Sequence, residues 1–338
     1  MKICVIGAFG YKTCNGQTIK TGNVYRALAE RFGDVEKIDT FGWKKNPIKL
    51  FFRCRKAVKD CDNIVFLPAH NGVKVFVPLL LFFNRKSKKK LHYVAIGGWL
   101  PELAKKNKRL AGKLKQLNGI YVETESMKDA LKNLDIDNVY VMPNFKYYNR
   151  DFNCEKTRDG DIIRLCIFSR IVKEKGIEEA VDAVNHLNAL YNNTCFLDIY
   201  GQIDNNYLEK FNELRERFNE NISYKGIIES DEAIKVISNY DLLLFPTKFY
   251  TEGIPGTILD AFFAGVPVLA SRWMSATDII QENENGLLFE FNNHQDFIDK
   301  LAFLYKNREI LYRMKEGCKK TSERYKPEVA VSILVDNF

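Results

Sequence analysis

Several absences narrow the chemistry before any motif is read. No Cys-x-x-Cys pair occurs, and the eight cysteines (Cys4, Cys14, Cys54, Cys61, Cys154, Cys166, Cys195 and Cys318) are scattered over 338 residues. That leaves neither a zinc-ligand spacing nor a disulfide framework. Several stand in apolar runs such as RLCIF and TCFLDIY, where cysteine behaves as a small hydrophobe, so a reducing, cytoplasmic setting is expected. The opening run MKICVI stops at Gly7. It is too short for a signal-peptide core, has no cleavage site, and reads as a buried first strand. The apolar stretch VFVPLLLFF covers only 75–83, far below the ~20 residues that span a bilayer. Gly7 to Gly10 (GAFG) is not G-x-G-x-x-G, and no acid at the end of the second strand is placed for a ribose, so a nicotinamide dehydrogenase is poorly supported.

The length is more than one compact α/β domain usually needs, which favours two domains. With 46% hydrophobic residues, 24 Phe and 16 Tyr, each can hold a core. The net charge of +8 conceals a split. Residues 1–150 hold 29 Lys+Arg against 12 Asp+Glu, while 151–338 hold 22 against 31. Halves of opposite charge suggest different tasks.

Both halves repeat a short β-branched run, a turn and a longer amphipathic stretch. The expected strands are KICVIG, VEKIDT, NIVFL, HYVAIG, GIYVET and NVYVM, then IIRLCIFS, CFLDIYG, ISYKG, DLLLFP and VPVLAS. Helices fit about 20–32, 125–134, 176–190, 205–218, 231–239, 256–264 and 295–323. The fold class is therefore α/β: two doubly wound, Rossmann-like domains facing a cleft, with ligands at the carboxyl ends of parallel strands. The expected domains are 1–150, joined by about 326–338 packing back after Pro327, and 151–325. The polar segment 146–162 is the seam.

Residues 252–271, EGIPGTILDAFFAGVPVLAS, hold the strongest signal. Pro255 suits the first position of a helix, where its missing N–H costs nothing. Gly256 and Thr257 would then turn free amides outward, where a phosphate is held. Glu252 precedes that end and Asp260 lies two turns in, each able to accept from sugar hydroxyls. Gly265 ends the helix and Pro267 stops its extension. The second element is SRIVKEKG at 169–176, which places Arg170 and Lys175 on a strand-to-helix loop. Two cations opposite a helix N-terminus can neutralise a diphosphate and stabilise it as a leaving group. Glu252 and Asp260 alone could be a helix-terminus charge and a solvated acid; the whole set favours the functional reading.

This pattern, strand–SRxxxxKG–helix followed by E-x7-D/E-A-x-x-x-G-x-P-V, resembles the family-four retaining glycosyltransferases of GT-B fold, of the kind acting in bacterial surface polysaccharide synthesis. The likeness extends over most of the chain, through the loop at 7–17, TESMKDAL, VMPNF, IYGQID and YKGII. It implies that Arg170 and Lys175 bind the donor diphosphate, with Ile254, Gly256 and Thr257 beside it. It also implies that Asp260 binds the ribose and that Glu252 contacts the transferred sugar. The catalytic set it points to is Glu252, Arg170 and Lys175. Gly16 would approach the diphosphate from the other domain, where a missing Cβ admits the backbone. Ile227 would lie near the base, although core packing is the favoured reading for that side chain. The chain departs from the family at two places. Asp260 stands where Glu is usual, and Gly97-Gly98 occupies a segment in which many members carry a histidine. That catalytic feature is therefore not carried over; His70 (LPAHNG) is the candidate to approach the cleft instead, and His70, Gly97 and Gly98 are the candidate acceptor-side residues.

The function expected is transfer of a sugar from a UDP- or GDP-sugar to a glycan or lipid-linked glycan, with retention and without a metal or other cofactor. A nucleotide-sugar epimerase or a non-catalytic sugar-nucleotide-binding protein are the alternatives. The triplets Asp60/Asp62, Asp135/Asp137 and Asp159/Asp161 fall at segment edges and read as solvated. Basic clusters surround 75–83, which suits either a peripheral contact with the inner face of an anionic membrane or a buried helix with a solvated basic face. No nucleic-acid motif accompanies the charge, and no nucleic acid is expected as a partner.

Overall fold

The computed structural model describes residues 1–10, 16–42, 45–148, 162–191 and 194–338. The chain divides into one unit of Met1–Tyr147 with Arg324–Phe338, and another of Tyr148–Glu323. Most of the expected seam, 149–161, lies outside the described residues, as does 11–15 of the loop after the first strand.

The first unit alternates β1 (Ile3–Gly7), α1 (Gly16–Phe32), β2 (Val35–Asp39), α2 (Pro47–Asp60), β3 (Asn63–Leu67), α3 (His70–Asn84) and β4 (Lys90–Val94). Then come α4 (Leu100–Lys106), α5 (Lys108–Leu114), β5 (Gly119–Val122), α6 (Glu125–Lys132) and β6 (Val139–Val141). All six strands are parallel, in the order β2-β1-β3-β4-β5-β6. β1 and β3 are buried along their whole length, as strands covered on both faces must be. The order reverses between β1 and β3, so a ligand crevice is expected beyond their carboxyl ends.

The second unit holds β7 (Ile163–Phe168), α7 (Ile177–Leu190), β8 (Cys195–Tyr200), α8 (Leu208–Arg215), β9 (Ile222–Gly226), α9 (Ala233–Ile237) and β10 (Leu242–Phe245). After these come α10 (Gly256–Phe263), β11 (Val268–Ser271), β12 (Gly286–Phe289), α11 (His294–Lys306) and α12 (Arg308–Ser322). Its parallel sheet runs β12-β11-β10-β7-β8-β9, with the reversal between β7 and β10. A final helix, α13 (Pro327–Val335), belongs to the first unit. There Ala330, Val331 and Leu334 join a core with Val24, Leu28 and Tyr121.

Local chemistry accounts for most boundaries and corrects some expectations. The stretch expected as one helix at 295–323 is two, because Asn307, at φ −119° and ψ 61°, closes α11 and opens α12. The stretch at 205–218 is a short 3-10 turn followed by α8. β12 (GLLF) escapes the sequence pattern, since four uninterrupted apolar residues show neither helical nor strand periodicity. VFVPLLLFF is neither fully buried nor wholly at the surface. It lies inside α3, which keeps Pro78 and buries only Val73, Phe76, Val77 and Leu80. The six described cysteines are buried. No helix among the described residues is long and apolar enough to cross a membrane.

One polar group inside the first sheet has a measurable effect. His92 is fully buried on β4, with Nδ1 3.0 Å from Tyr121 Oη and Nε2 3.1 Å from Asn63 Oδ1. Those partners fit a neutral ring donating through Nε2 to the amide oxygen and accepting at Nδ1 from the phenol. Burial, followed by the nearby Lys90 charge, lowers its pKa from 6.5 to about 4. The unfolded chain binds this proton below pH 6.5 and the folded chain does not. The site's contribution is therefore intact above 6.5 and is lost as pH falls towards 4. Between pH 7 and 4.5 it removes about 2.5 kcal/mol of stability. Urea unfolding of His92→Gln at both pH values should show a correspondingly smaller acid loss than the wild type; an equal loss would place the acid sensitivity elsewhere.

Candidate active site

The exits of β7 and β10, at the reversal of the second sheet, are bound tightly together. Gly176 follows the 3-10 turn Lys173–Lys175 at φ 70°, and a Cβ there would meet Pro246 O at 2.0 Å. Gly201, after β8, has φ 141°, and a Cβ would stand 1.7 Å from Ser169 O. Only glycine permits both approaches, which bring the loops after β7, β8 and β10 into one region. Lys248 N donates to Glu174 O at 2.7 Å, and the Lys248 ammonium pairs with Glu179 in the first turn of α7. Ser271 Oγ, at the end of β11, donates to Thr247 O at 2.6 Å.

Within this frame Lys175 and Glu252 form a direct ion pair, with side chains 16% and 18% exposed. Thr247 Oγ1 donates to the same carboxylate at 3.2 Å. The Lys175 ammonium also lies 5.2 Å from the Phe245 ring centroid and 5.1 Å from that of Phe249, so aromatic faces add to its stabilisation. Arg170 is held differently. Its guanidinium is 61% exposed, with its nearest charge contact at 4.0 Å to Asp204 Oδ2, which leaves its fork of donors open to an anion.

Pro255 is the N-cap of α10 (φ −66°, ψ 130°), one position earlier than expected, and helical geometry begins at Gly256. The Thr257 hydroxyl is buried with no hydrogen-bond partner among the described residues. A helix N-terminus with an unused hydroxyl beside it is a ready acceptor site for phosphate oxygen. Asp260 lies one turn in and is 4% exposed, which overturns the reading of it as a solvated acid. Ile254 is buried. The Val266 amide bonds back to Ala261 O at 2.8 Å, ending α10 at Gly265. Ile227, after β9, is 63% exposed. Core packing is therefore wrong for it, and an apolar ledge at the carboxyl edge of the sheet is what remains. Thr247, Lys248 and Glu179 were missed by sequence reasoning: Lys248 and Glu179 pair across 69 residues with no local signature, and Thr247 reaches Glu252 and Ser271 only through the fold of the loop after β10.

In the first unit, His70 opens α3 directly after β3 and is exposed. Its ring packs 5.1 Å from that of Trp99, so the chain brings His70 together with the Gly97-Gly98 segment. Gly97 N donates to Glu123 Oε1 at 3.3 Å, and the same oxygen pairs with Lys20 at 2.5 Å. Lys20 also donates to Ala95 O at 2.9 Å. This buried pair, absent from the sequence expectations, fixes the exits of β4 and β5 to α1. Gly16 is the first residue of α1, and a Cβ there would meet nothing within 4 Å among the described residues. Asp60, Asp62, Asp135 and Asp137 are exposed, and Asp159 and Asp161 lie outside the described residues. Among the described residues no three His, Cys, Asp or Glu side chains converge on a metal-sized site.

A family model for glycosyl transferases group 1 matches residues 150–321, just over half of the chain and nearly all of the second unit. The chain belongs to that glycosyltransferase family. A curated relative is the poly(ribitol-phosphate) alpha-N-acetylglucosaminyltransferase of Staphylococcus aureus, 27% identical over 277 residues, covering 78% of this chain and 53% of the relative. Another is the alpha-monoglucosyldiacylglycerol synthase of Acholeplasma laidlawii, 24% identical over 260 residues, covering 70% and 63%. The chain thus spans a little over half the length of these relatives. Among solved structures, Anabaena Alr3699/HepE in complex with UDP superposes with a TM-score of 0.77 at 14% identity, covering 99% of both chains. The lipopolysaccharide outer core galactosyltransferase WaaB gives 0.73 at 16% identity, covering 100% and 99%. At such identities the likeness concerns the fold, which is GT-B with two Rossmann-like domains.

Proposed function

We propose that this glycosyltransferase moves a sugar from a UDP- or GDP-sugar to a glycan or lipid-linked glycan of a bacterial surface polysaccharide, with retention. The observation that carries this reading is the meeting of Arg170, the Lys175–Glu252 pair and the open N-terminus of α10 at the reversal of the second sheet. In this scheme Arg170 and Lys175 grip the diphosphate, and the Gly256 and Thr257 amides with the Thr257 hydroxyl bind its remaining oxygens. Glu252 exchanges part of its bond to Lys175 for a hydroxyl of the transferred sugar. Asp260 serves the ribose and Ile227 flanks the base. As the glycosidic bond breaks, the leaving diphosphate gains charge, and fixed cations stabilise that charge more than they stabilise the bound donor. The two cations take the part a divalent ion would otherwise play. Residues 1–147 with α13 would receive the acceptor near His70, Gly97 and Gly98. A lipid-linked acceptor presents its glycan at a bilayer, which fits the basic first unit. No observation in either unit favours an epimerase or a non-catalytic binder.

The donor half of the proposal is testable by calorimetry with UDP, GDP and ADP, without added metal. One nucleotide should bind selectively, and Arg170→Ala should weaken it about 10- to 100-fold, as expected for a lost charged hydrogen-bonding group. Unchanged affinity in the variant would remove Arg170 from the donor site.

A further inference from the structure

Helix α2 has two apolar faces. Leu50, Cys54, Ala57 and Val58 are buried and account for its packing. Ile48, Phe51 and Phe52 are 74%, 38% and 57% exposed. Their spacing of three and four places them in a single stripe, which continues as the exposed cations Arg55, Lys56 and Lys59. The neighbouring α3 leaves Val75 and Phe82 40% and 58% exposed. The two stripes join where the Phe51 and Phe83 rings meet edge to face at 4.9 Å. Phe52 lies 5.6 Å from Phe51, and the Arg85 guanidinium 5.4 Å from the Phe82 ring.

The charge around this patch is predominantly positive, with Asp60 at the end of α2 as an exposed exception. Lys49, Arg55, Lys56, Lys59, Arg85 and Lys86 are exposed around it. Between Phe41 and Pro101 the only acids are Asp60 and Asp62, and Asp62 is already engaged with Lys89. Exposed aliphatic bulk at Ile48 and Val75 offers nothing to a nucleic-acid backbone, and the phenylalanine rings pack on one another rather than standing apart as stacking platforms. Apolar bulk ringed mostly by cations matches an anionic lipid surface, with acyl chains below and phosphates above.

We propose that the α2–α3 patch seats the first unit on an anionic bilayer. Ile48, Phe52 and Phe82 enter the headgroup–acyl boundary, and the flanking lysines and arginines meet lipid phosphates. This deepens the reading of a lipid-linked acceptor, while its residues lie outside the donor site.

The test is co-sedimentation of the full chain with vesicles of phosphatidylglycerol and phosphatidylcholine in equal parts, and with phosphatidylcholine alone. The chain should bind the anionic vesicles and be released by high salt, and should not bind the neutral ones. The combined variant Ile48→Ser, Phe52→Ser, Phe82→Ser should lower partition about tenfold or more. Lys49→Glu with Lys56→Glu should do the same, each cation near the surface being worth about fivefold. All five positions are exposed, so both variants should retain wild-type melting temperature and nucleotide affinity. Equal binding to neutral vesicles, no binding to anionic ones, or unchanged partition in both variants would overturn the proposal. So would self-association abolished by the same variants without any vesicle binding. Absent nucleotide binding with vesicle binding intact would refute the donor-site reading alone.

Discussion

Lys175→Ala should lower kcat for sugar transfer by about 10²- to 10³-fold, the range seen when one preorganised donor to a developing charge is removed. Two mechanisms predict such a loss, because Lys175 is paired with Glu252. The lysine could grip the diphosphate directly, or it could only neutralise a carboxylate that would otherwise repel the nucleotide. The double variant Lys175→Ala, Glu252→Gln separates them. The glutamine keeps an oxygen for the Thr247 hydroxyl while removing the charge. If Lys175 holds phosphate, nucleotide affinity stays as low in the double variant as in the single one. Recovery of affinity in the double variant would reduce Lys175 to a counter-ion and leave Arg170 and the helix N-terminus as the phosphate ligands.

Gly201→Ala should be among the most damaging single-methyl additions in the second unit. The new Cβ would stand 1.7 Å from Ser169 O at a backbone φ of 141°, so it meets both strain and an immovable carbonyl. A loss of about 3 kcal/mol or more is expected, together with weaker nucleotide binding, since Ser169 immediately precedes Arg170. Gly112→Ala is the control. It lies in helix α5 with nothing within 4 Å of its Cβ position and should be neutral or slightly stabilising. Thermal unfolding and calorimetry on both variants check this. Equal melting temperatures for the two would mean that the exit of β7 tolerates displacement.

The strands of both sheets except β12 were legible in the sequence because they are short apolar or β-branched runs closed by a turn residue, as in NIVFL and ISYKG. Strand order was not legible, and it is the reversal between β7 and β10 that gives the two key loops a common position. The candidate site segments 169–176 and 252–260 could be read because each carries local punctuation in glycine, proline and charge. Their direct joining through Lys175 and Glu252 depends on strand neighbours 77 residues apart, which no local pattern encodes. Ile227 was misjudged for the opposite reason: an isoleucine beside a strand is usually core, and only the end of β9 at Gly226 exposes it. The outer stripe of α2 was obscured by the lysines and arginines interleaved with it. In the linear sequence these make the segment look simply basic, whereas the helix separates the two kinds of residue.

The placement of α13 in the first unit governs the order in which the chain can mature on the ribosome. Val331 and Leu334 complete a core that otherwise comes from the first 147 residues, and Phe338 rests against Phe32 and His92. All of 148–323 must be synthesised before those residues emerge, so the first half waits with an open apolar seam while the second can fold as a unit. The first unit would then become complete only after the second, and a nascent chain stalled before α13 would carry a finished second unit and an unfinished first one.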